Sequence, residues 1–375
     1  MTIAASPLQT SKLRRARMIA FYLPQFHPIP ENDKWWGRGF TEWANVSRAQ
    51  PLFPNHYQPH IPADLGFYDL RLAESRIAQA ELAAQFGIEG FCYWHYWFKG
   101  RRLLERPFNE VLSTGQPKLP FCLAWANETW SRRWLGEEKD ILMAQEYSPE
   151  DDVNHTRWLA TAFSDPRYIR VNGRPLFLIY RPLHLPNPKQ TTETMREVCI
   201  KHGLTEPYLV GVNAHCPDAD ARTAGFDGTL NFEPQLGYLP DFMSDKMTLS
   251  KLVRNVSAGI HSPRLKIYDY SAARRLMLRW KKSFPTYPCI FVGWDNTPRR
   301  GRNGIIVINS TPERFGSGLK EIVQSVLDKP QEDRLIFINA WNEWAEGNHL
   351  EPDFKHGLAY LEAIRKACEA GPTAV

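Results

Sequence analysis

Eight short apolar runs alternate with amphipathic helical patterns along this chain, and that alternation restricts the fold more than any other feature. The runs cover 17–24, 88–96, 119–126, 174–181, 206–214, 226–233, 287–296 and 335–344. Each is nearly continuous in β-branched and aromatic residues, as expected of strands buried on both faces of a parallel sheet. Between them, Leu70, Ala73, Ile77, Ala80 and Ala84 recur at helical spacing, with Asp69 as the expected N-cap. Leu319, Ile322, Val323, Val326 and Leu327 form a second stripe, and 356–370 closes the chain with Leu361, Ile364 and Cys368 on one face. Eight βα units in 375 residues predict an α/β fold of the (β/α)8 barrel type, in one domain with long βα loops. The alternative is a doubly wound open sheet, but no G-x-G-x-x-G follows any strand. The expected organisation is a flexible tail over 1–16 and a catalytic barrel over 17–370. The segments 24–68 and 234–286 carry no strong period.

Cysteine and charge exclude several function classes. The six cysteines have no C-x-x-C spacing, and Cys92, Cys122 and Cys289 lie in apolar runs, which points to free thiols in a reducing compartment. A net charge of +5 is mild. The basic groups at 279–282 and 299–302 have no recognition module beside them, so nucleic-acid binding is not expected. The cluster Arg299, Arg300 and Arg302 either faces water or meets a phosphate or acidic sugar at the barrel mouth. No signal peptide or membrane-spanning run is visible, so a cytoplasmic protein without integral membrane association is expected. His56 and His60 are four apart but lack an H-E-x-x-H frame, and Asp218-Ala219-Asp220 is only a three-letter match to the D-x-D of many nucleotide-sugar transferases. Neither a metal nor a cofactor is expected.

Chemistry in a barrel collects at the C-terminal strand ends. In chain order those ends offer Tyr22 and Gln25, then Tyr93, Trp94, His95 and Tyr96, then Trp125, Asn127 and Glu128. Tyr180, Arg181, Asn213, His215, Glu233, Trp294 and Asp295 follow, and the last strand brings Trp341, Asn342, Glu343 and Glu346. Carboxylates among indoles suit glycosidic chemistry. One acid protonates the leaving oxygen and a second assists the anomeric carbon. With 13 Trp, 14 Tyr and 20 Phe, the chain has ample flat surface for stacking sugar rings. A P-loop and a G-x-S-x-G are both absent from the sequence. Glu343 and Glu346 are three apart and share a face if their segment turns helical. Glu128 is a third candidate acid.

The segments AFYLPQFHPIPENDKWWGRGFTEWANV, GFCYWHYWF, LAWANETW and AWNEWAEGNHLEPD resemble the WbsX-like family over nearly the whole chain. Members are often labelled glycosyltransferases of polysaccharide or O-antigen clusters. The family is in turn similar to glycoside hydrolase family 99, the endo-α-mannosidases, which are (β/α)8 barrels. That second likeness rests on strand order and on Glu343-Trp344-Ala345-Glu346, which matches E-W-x-E with alanine where family 99 has histidine.

The resemblance implies a retaining mechanism through a 1,2-anhydro sugar, with Glu343 as base on the 2-hydroxyl and Glu346 as general acid/base. It also implies a substrate with O2 trans to the leaving group, as in α-mannosides and α-rhamnosides, and places Glu128 near a substrate-binding glutamate. A conventional pairing of Glu128 as acid/base with Glu343 as nucleophile stays open. The function expected is an endo-acting glycoside hydrolase on a polysaccharide or oligosaccharide. A surface-polysaccharide glycosyltransferase and a non-catalytic carbohydrate-binding barrel are the alternatives.

Overall fold

A computed structural model describes residues 15–132, 137–239, 265–279 and 282–369. The expected tail lies outside them up to residue 14, as do 240–264 of the irregular 234–286 span and Trp280-Lys281 of the first basic group. Eight strands among the described residues close a parallel barrel. They are β1 (Arg17–Tyr22), β2 (Ile88–Phe98), β3 (Phe121–Trp125), β4 (Arg174–Ile179), β5 (Tyr208–Val212), β6 (Gly228–Asn231), β7 (Tyr287–Phe291) and β8 (Leu335–Asn339). Each pairs in parallel with its sequence neighbours, and β1 closes the ring by pairing with both β2 and β8. All eight expected runs contain a barrel strand, and the expected barrel is the fold. Most of the strands end two to five residues earlier than the apolar runs do, because the aromatic and polar residues beyond leave the ladder and build the loops of the mouth.

Local chemistry sets the helix starts. The helices Pro149–Phe163, Pro188–Lys201 and Pro312–Val326 each open with proline at the first position, behind Ser148, Asn187 and Thr311. Those side chains accept from the backbone N–H groups of Asp151, Gln190 and Arg314. Proline lacks the N–H that would otherwise be orphaned there, and the cap satisfies that of the third helical residue. The expected cap Asp69 does not act as one. Helix Ala73–Gln85 starts after Leu72, and the Asp69 carboxylate instead accepts from the Arg71 backbone at 2.8 Å and from its guanidinium. Between β5 and β6 the connection is a 3-10 turn, Ala221–Ala224. In Pro312–Val326 the apolar stripe packs inward through Leu319, Ile322, Val323 and Val326.

The barrel interior and the strand–helix layer form one continuous core that includes Phe21, Cys92, Cys122, Phe177, Phe337 and Ile338. Gly90 on β2 shows how tight it is. A Cβ there would collide with the Pro120 carbonyl, which accepts from Phe91 N at 3.1 Å. Gly90→Ala is therefore expected to lower stability by about 1–3 kcal/mol, the cost of overpacking against backbone. Chemical denaturation midpoints measure it.

Candidate functional site

After β8 the chain turns sharply. Asn342–Glu343 pairs antiparallel with Asn348–His349, and a single 3-10 turn, Trp344–Glu346, joins them, closed by Gly347 at φ 56°. A 3-10 turn eclipses residues three apart, so Glu343 and Glu346 emerge on one side. Trp344 between them points the other way and is buried. It stacks on His349 at 3.7 Å, and its indole N–H donates to the Glu351 carboxylate at 2.5 Å. Glu351 also accepts from Tyr68 at 2.8 Å and Gln79 at 2.6 Å, and its burial raises its pKa to about 7. Glu351 thus anchors the turn from behind, while Glu343 and Glu346 face the mouth.

Arg299 ties the pair together. Its Nη1 donates to Glu346 at 2.6 Å, Nη2 to Glu343 at 3.2 Å and Nε to Glu42 at 3.1 Å. Glu42, in helix Glu42–Arg48 of the loop after β1, is fully buried. One guanidinium therefore faces three carboxylates in a place screened from water, and that imbalance favours holding a proton. The Glu343 pKa rises from 4.5 to about 8, first through burial, then through the Glu346 charge, with Arg299 opposing both. Glu346 shifts upward as well, again first through burial. The Arg299 pKa is raised because the attraction of Glu42, Glu346 and Glu343 outweighs its own burial. Interacting acids of this kind titrate as a pair, releasing protons in separate steps.

Both carboxylates line a cavity of about 340 Å³ at the C-terminal mouth of the barrel, a size suited to a small ligand or a few sugar units. Of the residues expected at the site, Gln25, Trp94, Tyr96, Glu128, Tyr180, His215 and Trp294 line it too. Trp94 meets Tyr180 edge-on at 5.2 Å, and the Phe21 ring stacks beneath it at 4.8 Å. Glu128 is held by Arg181 at 2.6 Å.

The other expected residues do not line the cavity. Tyr22 is buried behind β1 and donates to Gln79 at 2.6 Å. His95 meets His155 at 2.9 Å and stacks on Trp158, and burial lowers its pKa well below the usual value. Trp125 donates to the Trp97 carbonyl at 3.2 Å from within the core. Trp341 is fully buried against Phe91. Three asparagines fasten loops instead of facing solvent. Asn127 clamps both backbone groups of Arg181, Asn342 does the same for Leu23, and Asn213 accepts from Phe232 N. Glu233 is sealed in an ion pair with Arg274, and Asp295 accepts from Gln58 and pairs with His56, both at 2.7 Å. On β2 the alternation of a strand decides this: Trp94 and Tyr96 face the cavity and His95 between them faces back.

Sequence reasoning missed Asn32, Trp36 and Glu42 in the loop after β1, and Trp130 and Phe232. It placed Arg299 in a run of positive charge, where the structure buries its side chain among acids. The signal available was the density of Trp and acid in PENDKWWGRGFTEW, which follows β1 and so belongs at the mouth. His56 and His60 do not act together. His56 pairs with Asp295, whereas His60 Nδ1 meets His349 Nε2 at 2.8 Å with Asp353 nearby. Those three are the one group among the described residues spaced to share a metal ion.

The (β/α)8 barrel has counterparts among solved structures. It superimposes on an endo-α-mannosidase of glycoside hydrolase family 99 from Bacteroides thetaiotaomicron with a TM-score of 0.54 and 15% identity, covering 94% of this chain and 96% of that one. A glycoside hydrolase-like protein gives 0.56 at 12% identity, covering 98% of each chain. The chain itself belongs to the family described as Glycosyltransferase WbsX, whose model matches residues 18–364. It is 44% identical over 359 residues to the uncharacterized protein WxcX of two Xanthomonas campestris pv. campestris strains, which covers 95% of this chain. The chain spans about half the length of these curated relatives. Among the described residues, no helix is long and apolar enough to cross a membrane.

Proposed function

We propose that this protein is a retaining, endo-acting glycoside hydrolase on an α-mannose- or α-rhamnose-type surface polysaccharide, with Glu343 and Glu346 as its catalytic pair. One observation carries the reading: two carboxyls from a single turn, bridged by one guanidinium and raised in pKa, line an aromatic-walled cavity. Such a pair keeps one proton near neutrality, the ionisation state that acid/base chemistry on a glycosidic bond needs.

In the mechanism implied by the family 99 resemblance, Glu343 removes the proton of the 2-hydroxyl. O2 attacks C1 from the face opposite the leaving group, and the C1–oxygen bond breaks as Glu346 protonates the departing oxygen. Glu346, now a carboxylate, takes a proton from water as the water attacks C1. The C1–O2 bond of the anhydro sugar opens and O2 recovers its proton from Glu343. The sequence requires the shared proton to reside on Glu346 when the bond breaks. Pairing Glu128 with Glu343 fits less well, since Glu128 is committed to Arg181. The faces of Trp94, Tyr180 and Trp294 suit the apolar sides of sugar rings.

The family description favours a second reading, a nucleotide-sugar-dependent glycosyltransferase of polysaccharide assembly. Purified protein incubated with α-mannan, rhamnan and O-antigen polymers, with and without nucleotide sugars, separates the two. Oligosaccharide release without a nucleotide donor is the expected result. Elongation only with the donor would replace the hydrolase by the transferase, and binding without turnover would leave a carbohydrate-binding barrel. Cleavage of a 2-deoxy analogue would exclude the anhydro route.

A further inference from the structure

Two arginines line the cavity and a third, Arg181, holds its Glu128; the three differ in how their charge is met. Arg181 is closed on Glu128 at 2.6 Å and on the Ala214 carbonyl at 2.9 Å. Arg299 is occupied by Glu42, Glu343 and Glu346. Arg300 lines the same cavity, and no carboxylate among the described residues lies within ion-pair distance of it. Its Nε is shut off from solvent and has no acceptor among the described residues. The indole Nε1 of Trp294, six residues earlier in the same loop and 7% exposed, is in the same position. The side-chain oxygen of Asn296, between the two in the chain, is already used by Ile305 N at 2.7 Å.

A buried donor without an acceptor is unfavourable until something supplies one. Here two donors and an unmatched positive charge stand in one loop. An indole N–H can only donate, and a guanidinium offers five donors and no acceptor, so the missing partner is rich in acceptors. A neutral hydroxyl oxygen can accept from these donors but leaves the charge unmet. A carboxylate or phosphate satisfies both, and its planar or tetrahedral oxygens fit the guanidinium fork.

We propose that Arg300 and Trp294 form a subsite that reads an acidic group, carboxylate or phosphate, carried by the glycan bound at the Glu343–Glu346 pair. The inference rests on the carbohydrate reading above and narrows it to acidic polysaccharides. Arg299 cannot take this role, because its own donors are filled by protein acids.

The test uses three matched probes: α-mannan oligosaccharides, the same oligosaccharides oxidised at C6 to uronates, and phosphomannan oligosaccharides. Binding to the whole chain carrying Glu346→Gln, which prevents turnover, is followed by calorimetry at low and high salt. At least one acidic probe is expected to bind tenfold or more tightly than the neutral one, and salt should reduce the difference. Preference for the oxidised probe assigns a uronate, and preference for phosphomannan assigns a phosphate. In Arg300→Met the preference should fall toward unity, and Arg300→Lys, which keeps the charge but loses the fork, should retain part of it. Equal binding of neutral and acidic probes, or a preference that survives Arg300→Met, overturns the subsite and leaves the carbohydrate reading standing. Binding of none of the three overturns the α-mannoside form of that reading and this inference with it.

Discussion

Glu343→Gln is expected to be more stable than the parent protein at pH 8 and to have lost at least ~100-fold in kcat, the low end for removing general acid–base help. The stability half follows from linkage. The Glu343 carboxyl has its pKa raised from 4.5 to about 8 in the folded protein, so between those values the folded state holds a proton that the unfolded state has released. Stability is then highest below about 4.5 and declines as pH rises toward 8. Glutamine imitates the protonated acid and removes that decline. The two proteins should melt together near pH 4.5 and separate progressively above it, by an amount on the order of a few kcal/mol at pH 8. Glu346→Gln should lose activity to a similar degree. Melting curves across pH 4.5–8, beside turnover of whichever polymer the panel identifies, check both halves. Near-normal turnover in either variant removes that residue from its role. A melting profile parallel to the parent's would mean that Glu343 is not held against its charge.

Arg299→Met should be the most damaging single change to stability at the site. It leaves Glu42, Glu343 and Glu346 facing one another without a cation, with Glu42 fully buried. Removing one partner of a buried ion pair costs about 3–5 kcal/mol, because the orphaned charge stays behind. The loss should be smaller at pH 5 than at pH 8, since protonating the acids relieves their repulsion. Arg299→Lys should fall between the two: an ammonium keeps the charge but cannot span three carboxylates with a planar fork. Denaturant midpoints at the two pH values give the comparison, and a pH-independent loss would show that packing of the arginine stem, not charge, is what the site needs.

The sequence by itself determined the barrel, because each strand is a local run of apolar residues and each helix a local period, and eight such units in order leave little topological choice. It also determined the acid pair, since three residues on a tight turn fix a shared direction without help from elsewhere. Only the tertiary structure decided which strand-end residues face the cavity. Asn127 and Asn342 read as ligand-binding polar groups, yet they fasten loops, because the backbone groups that they satisfy come from distant parts of the chain, and Asp295 is taken up by the distant side chains of His56 and Gln58. It also decided that Arg299 belongs to the acids. Its partners at 42, 343 and 346 are brought together by closure of the barrel between β1 and β8 and by the loop after β7. Charge pairing falls off with distance in space, and no spacing along the chain records which distances the fold makes short.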